Sequence, residues 1–303
     1  VAASFSIFGI SKYLVVPLAA LAVWFILYKG SFKTTQKIFL IFSAFYLVYI
    51  INGFIVKPDF SAAFLSLITP TMEWTTPFLL TMIALIGTTI TPWGQFFIQS
   101  YVVDKGLNLK HYRVEKAEVF FGAFLTNIVS FFIIISTAAT LYKYGIRIND
   151  AGDAALALRP LAGQFAQMLF AFGLFSASML GALILPTATA YALCEAFGWE
   201  SGFNTTWKTG KTFYSIILGT IIIPALVILI PKAPLIKIMI WSQGVNGILL
   251  PIILIFVMLI INNKRIMGEH TNKPIGNLIA WLTIIGIIGA TAVLVVSSVM
   301  GYN

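Results

Sequence analysis

The chain has 303 residues, of which 59% are hydrophobic, 15% aromatic and 10% charged, with a mean hydropathy of +0.96. A soluble domain carries roughly a quarter charged residues, so a soluble enzyme, a nucleic-acid-binding module and a disordered scaffold are excluded and a polytopic membrane protein remains. The net charge of +9 then reads as basic loops on one side of a bilayer, and the one cysteine, Cys194, excludes an intrachain disulfide or a cysteine metal cluster.

A bilayer core needs about 20 apolar residues per helix. In chain order, eight stretches meet that need: 13–28, 37–56, 75–103, 119–141, 161–197, 212–230, 236–261 and 275–299. The apolar piece 1–10 reads as the end of a ninth. Period-2 alternation is lacking, which argues against a β-barrel. The expectation is one all-α transmembrane domain over 1–303. The chain opens on Val1 with no charge before Ser11, which reads as a fragment lacking its first helices. Basic residues set the orientation. Alternate loops hold Lys29, Lys33 and Lys37; Lys105, Lys110, Arg113 and Lys116; Lys208 and Lys211; and Lys264, Arg265 and Lys273. These outnumber the basic residues of the other side, so the loops near Lys33, Lys110, Lys208 and Lys264 are expected in the cytoplasm.

Ionisable side chains avoid the spans. All ten acids fall in loops or at helix ends, and both histidines, His111 and His270, lie in basic loops. Intramembrane carboxylates and histidines mark proton relays, so neither proton relay nor intramembrane hydrolysis is expected. The informative segment is Gly87-Thr88-Thr89-Ile90-Thr91-Pro92-Trp93-Gly94-Gln95. It interrupts an apolar run, and a helix broken over 88–95 is expected. Pro92 has no N–H and deprives the Thr88 carbonyl of its helical donor. Gly94 eases unwinding. Thr88, Thr91, Gln95 and Gln99 would share one face of a continuous helix. Irregular backbone at membrane depth survives where it lines a cavity or is buried in protein, and broken helices with free carbonyls bind cations in many transporters. A simple proline kink is the competing reading. A second polar cluster, Ser242-Gln243-Gly244-Val245-Asn246-Gly247, lies upstream of Pro251. Gln243 and Asn246 share a face and serve either as helix–helix contacts or as cavity lining. Gly122, Thr126 and Ser130, like Gly173, Ala177 and Gly181, read as close-packing stripes. Trp24, Trp74, Trp199, Trp207 and Trp281 read as interface markers, and Cys194 as an inert small residue.

This order of features is similar to the Nramp family of divalent-metal transporters. The third span corresponds to the family's broken sixth helix. Ser242-Gln243 before an apolar run, Pro251, and Asn262-Asn263-Lys264-Arg265-Ile266-Met267-Gly268 continue the match. The resemblance implies the leucine-transporter fold, an inverted-repeat helix bundle, in a bacterial inner (plasma) membrane. Where the family reads Met-Pro-His-Asn, this chain reads Thr91-Pro92-Trp93-Gly94. Thr91 replaces a soft thioether ligand, and Trp93 stands at the place of the motif's His. The family's carbonyl ligand falls on Thr88, and its proton-linked His falls on Ile98. That pattern looks like the Nramp-related magnesium transporters, a branch without proton coupling. The family's first-helix motif Asp-Pro-Gly-x-x-Asn does not occur here, and on the fragment reading it lies outside this sequence.

Hydroxyl, amide and carbonyl oxygens suit hard cations such as Mg²⁺, which retains several waters. The membrane potential supplies about 4.6 kcal/mol per divalent ion at 100 mV, enough for uncoupled uptake. The expected activity is therefore uptake of Mg²⁺ by alternating access without proton coupling, with Thr88, Thr91, Gln95 and Gln243 on the ion or its waters. Pro92, Trp93, Gly94, Gln99 and Asn246 would shape the cavity. The partners are the divalent ion and the lipid bilayer, and no cofactor is expected beyond the transported ion. The alternatives are a proton-coupled Mn²⁺ or Fe²⁺ importer, an amino-acid or organic-solute transporter of the same fold, and a non-transporting membrane subunit.

Overall fold

The computed structural model describes residues 1–29, 44–69, 71, 73, 75–203 and 205–300. The basic loop around Lys33, the start of the 37–56 stretch and Trp74 lie outside them. All regular structure among the described residues is helical. The longer helices are α1 Lys12–Lys29, α2 Leu47–Val56, α3 Phe60–Ile68, α4 Thr76–Thr89, α5 Pro92–Asp104, α6 Tyr112–Thr140, α7 Ala166–Phe197, α8 Lys211–Leu229, α9 Leu235–Ile261 and α10 Pro274–Met300. Among the described residues seven segments are long and apolar enough to cross a membrane, with α4 and α5 together counted as one. The number rises to eight if α2 and α3, bent by 118°, form one span. The chain is thus an all-α polytopic membrane protein, as its composition requires. The 1–10 piece holds the short helix Ala2–Ser6, and α3 occupies a stretch that carries no expected span.

Two compact units make up the chain: Val1–Pro70 with Phe97–Ile236, and Thr71–Phe96 with Lys237–Asn303. In the first, α1, α7 and α8 share a core that includes Val23, Leu27, Leu183, Tyr191, Phe213 and Ile217. Both ends of the α1–α8 pair are fastened. Lys12 donates from Nζ to the carbonyls of Ile228 (2.7 Å) and Ile230 (2.5 Å), placing a cation where the α8 dipole is negative. At the other end Trp24 and Tyr28 pack edge-on to Trp207 and Tyr214. Two of the expected interface markers thus belong to one aromatic cluster, where amphipathic rings offer both apolar area and a polar edge. Cys194 is fully buried in the same core.

Helix α2 packs along α6, and the approach is close because Gly53 lies under the Phe132 ring, leaving no room for a Cβ. The neighbouring Asn52 is fully buried and donates from Nδ2 to the Ala157 carbonyl at 3.0 Å. The glycines of the expected small-residue stripes do not sit at close backbone contacts. A Cβ on Gly122, Gly173 or Gly181 would meet no atom within 4 Å. Small side chains permit close approach but do not enforce it.

In the second unit α4 packs on α10 through Leu79, Ile83, Ala290 and Val293. The connection from α9 to α10 is clasped by amides. Asn262 and Asn277 exchange hydrogen bonds of 3.0 and 2.7 Å, and Asn272 donates to Asn277 at 2.9 Å. The interior of the unit therefore consists of α4, α9 and α10, with the first turn of α5 following α4.

Candidate functional site

The helix interruption is real but shorter than the sequence suggests. Helix α4 runs through Thr89, α5 begins at Pro92, and only Ile90 and Thr91 leave the helix. Ile90 still donates to the Ile86 carbonyl at 2.9 Å and has φ −114° and ψ 81°. Pro92 thus opens a helix instead of kinking one, at the position where its missing N–H costs nothing and its fixed φ suits the first turn. It nevertheless leaves the Thr88 carbonyl without an i+4 donor.

Gly94 does not unwind the chain, because it lies within the first turn of α5. It supplies space instead: a Cβ there would lie 2.8 Å from Thr91 Oγ1. The Gly94 N–H closes the turn on the Thr91 carbonyl at 3.2 Å. Thr91 is half-buried at the head of α5, with Trp93 and Gln95 half-buried just after it and Pro92 buried. Thr88 is exposed in the last turn of α4. The expected common face is split. The interruption separates Thr88 from Gln95, and Gln99 is exposed and belongs to the first unit.

The two helices that carry the polar clusters meet at Gly87. Gly87 lies directly on α9, and a Cβ there would fall 2.5 Å from the Gln243 carbonyl oxygen and against the Gly247 backbone nitrogen. Reciprocally, a Cβ on Gly247 would fall against the Ile83 carbonyl oxygen, and one on Gly244 would lie 3.1 Å from Leu80 Cδ1. Glycines three apart on α9 therefore form the face that meets α4, since close backbone approach needs small residues. The sequence signal of this glycine face is the spacing of Gly244 and Gly247. The adjacent face carries Gln243 and Asn246, both half-buried, with Asn246 Nδ2 donating to Gln243 Oε1 at 3.1 Å. The two amides thus share one hydrogen bond on one helix, which leaves a second lone pair on Gln243 Oε1. Pro251 in turn leaves the Gly247 carbonyl without its i+4 donor. Among the described residues no group of three or more His, Cys, Asp or Glu gathers. The donors around the crossing are accordingly hydroxyl, amide and carbonyl oxygens.

A chain-long comparison fits this arrangement. Residues 1–297 match the family model described as natural resistance-associated macrophage protein-like, or Nramp. The chain belongs to the Nramp family. Among curated proteins, this Nramp chain is 26% identical over 267 residues to a divalent metal cation transporter MntH of Caldanaerobacter subterraneus subsp. tengcongensis, covering 84% of this chain and 58% of the relative. It is 23% identical over 262 residues to a divalent metal cation transporter MntH of Clostridium acetobutylicum, covering 84% and 56%. It is also 24% identical over 222 residues to the membrane protein YcsG of Bacillus subtilis, covering 73% and 50%. The chain spans a little over half the length of the two MntH relatives.

One polar contact of this Nramp chain escaped the sequence reading. Asp104, the last residue of α5, accepts a hydrogen bond from Tyr191 Oη of α7 at 2.5 Å. An acid at a helix C-terminus opposes the helix dipole, and that mismatch is the signal that could have found it. Lys105, next in the chain, lies 4.2 Å over the Tyr101 ring. Burial lowers its pKa, but the Tyr101 hydroxyl with Glu118 and Glu115 raises it by more, so the ammonium is held above the ordinary lysine range. Tyr191→Phe is expected to cost about 1 kcal/mol, a typical net hydrogen-bond contribution. In a cycle with Asp104→Asn, unfolding midpoints that add independently would show that the pair is uncoupled.

Proposed function

We propose that this Nramp chain forms the helical body of a membrane transporter for a divalent metal cation. The ion passes a cavity bordered by the Ile90–Thr91 interruption and by the amide face of α9. One observation carries the reading: α4 and α9 touch backbone to backbone at Gly87, Gln243 and Gly247, immediately before the interruption. That contact puts the donor-deprived Thr88 carbonyl one residue from the crossing. With the Thr91 hydroxyl and the amides of Gln95 and Gln243, it offers oxygen ligands of the kind hard divalent cations take. The names of the two MntH relatives support the general class.

For the ion itself, one reading is the family's ordinary activity, proton-coupled import of Mn²⁺ or Fe²⁺, and the relatives' names extend as far as divalent metal cation transport. A second reading, Mg²⁺ uptake without proton coupling, draws on the site. Thr91 rather than a thioether stands at the interruption, and Ile98, an exposed hydrocarbon side chain, occupies the place of the proton-linked His. In either case the loops near Lys110, Lys208 and Lys264 would face the cytoplasm of a bacterial cell. The test follows Mg²⁺ and Mn²⁺ entry in parallel into liposomes holding the protein, with an internal pH dye and an imposed potential. Mn²⁺ entry with acidification and no Mg²⁺ entry supports the first reading. Mg²⁺ entry with no proton signal supports the second. Entry of neither ion, with folded protein in the membrane, would overturn both.

A further inference from the structure

Helix α3 has no counterpart among the expected spans, and its surroundings are unusual. It follows α2 after Lys57-Pro58-Asp59, where Lys57 takes a left-handed φ of 48° and the Asp59 carboxylate caps α3 by accepting from the Ala62 N–H at 2.9 Å. The turn bends the chain by 118°. Since α2 packs along the spanning helix α6, a bend of that size turns α3 closer to the membrane plane than to its normal. Its nine residues cover about 13.5 Å, far short of a bilayer core of about 30 Å.

None of its residues is buried. Phe64, Leu65, Leu67 and Ile68 are 56%, 62%, 64% and 81% exposed. Phe60, Phe64, Leu67 and Ile68 follow the spacing of one helix face. The first two are anchored on protein: Phe60 lies 5.9 Å from Phe54 between ring centroids, and Phe64 stacks on Phe131 at 5.5 Å. Leu67 and Ile68 continue the same face beyond the protein. The level is fixed by Phe131, which lies nine residues before Thr140 at the end of α6. That is about 13.5 Å down the helix, so the Phe64 ring reaches into the hydrocarbon layer. The hydroxyls suit such a place, since Ser66 and Thr69 each bond back to a carbonyl four residues earlier at 2.8 Å. The charged residues Lys57 and Asp59 stand only at the N-terminal end.

We propose that α3 is a short non-spanning helix that lies within one leaflet, with Leu67 and Ile68 seated among lipid acyl chains. Its partner is the lipid surface, and the bend at Lys57 sets its angle. The ring contacts of Phe60 and Phe64 fix its depth against α2 and α6. Lipid rather than a protein partner is indicated because apolar exposure continues around the helix and the Ser66 and Thr69 hydroxyls are bonded to backbone carbonyls. This reading stands whichever ion is carried.

The lone cysteine, Cys194, is fully buried, so a nitroxide on an introduced cysteine reports one site. Leu67→Cys and Ile68→Cys would be labelled in liposomes beside two references, Leu226→Cys on exposed α8 and Lys143→Cys in the loop after α6. Collision with oxygen, which concentrates in lipid, is compared with collision with a water-soluble nickel chelate. The expected oxygen-to-nickel ratio at residues 67 and 68 is at least about fivefold above that at 143 and near that at 226. A ratio matching residue 143 would place α3 in water. Low collision with both reagents at both positions would make it a protein-covered lid, and either result overturns the proposal.

Discussion

Alanine at Gly247 or Gly87 is expected to abolish ion uptake and to destabilise the folded chain by at least about 1–3 kcal/mol, the usual range for overpacking. The added methyl at Gly247 would meet the Ile83 carbonyl oxygen, and the one at Gly87 the Gly247 nitrogen and Gln243 carbonyl. Both obstacles are backbone, so no rotamer change relieves them and α4 must move away from α9. That movement separates the two polar clusters on which the proposed site depends. Gly286→Ala and Gly289→Ala are the controls, because a Cβ at either meets nothing within 4 Å. Thermal unfolding in detergent and uptake in liposomes read the two effects. Uptake by Gly247→Ala equal to that of the parent would remove the crossing from the transport site.

The second large effect is on selectivity. Thr91→Met is expected to raise the Mn²⁺ to Mg²⁺ uptake ratio roughly tenfold, equivalent to about 1.4 kcal/mol. Thr91 is half-buried at the head of α5, and the absent side chain of Gly94 leaves space beside its hydroxyl. A thioether there would bring a soft, polarizable donor to a site of hard oxygens. Manganese accepts such a donor more readily than magnesium, which holds its waters tightly. Thr91→Ser retains the hydroxyl and should leave the ratio unchanged. The direction of the Met effect is the same whether the parent prefers Mn²⁺ or Mg²⁺. An unchanged ratio in Thr91→Met would mean that residue 91 does not face the ion.

Much of the candidate site was legible because its chemistry is local. Thr-Pro-Trp-Gly inside an apolar run announces an interruption, since proline's missing N–H and fixed φ act on its own turn. Its extent was not legible. Gly94 suggests unwinding, yet α5 is helical from Pro92 onward, because proline at a first helical position starts a helix as readily as it ends one. The amides of Gln243 and Asn246 were visible, but their mutual bond was not foreseen. The glycines beside them, which make the contact with α4, are silent in any scan for polar groups.

What the sequence determined by itself was the solvent. With 59% hydrophobic and 10% charged residues, the backbone must satisfy its own hydrogen bonds in lipid, and long helices follow. Span positions and the place of the interruption come with them, since each depends on neighbours within a few residues. The tertiary structure alone decided which helices meet. It matched Gly87 with Gly247, passed over the stripe at Gly122, joined Asp104 to Tyr191 and turned α3 away from α2. These are choices among residues far apart in the chain. In a membrane, apolar faces are equally soluble in lipid, so hydrophobicity does not select the partner. Shape, close backbone approach and a few polar bonds do, and those appear only when the helices are set side by side.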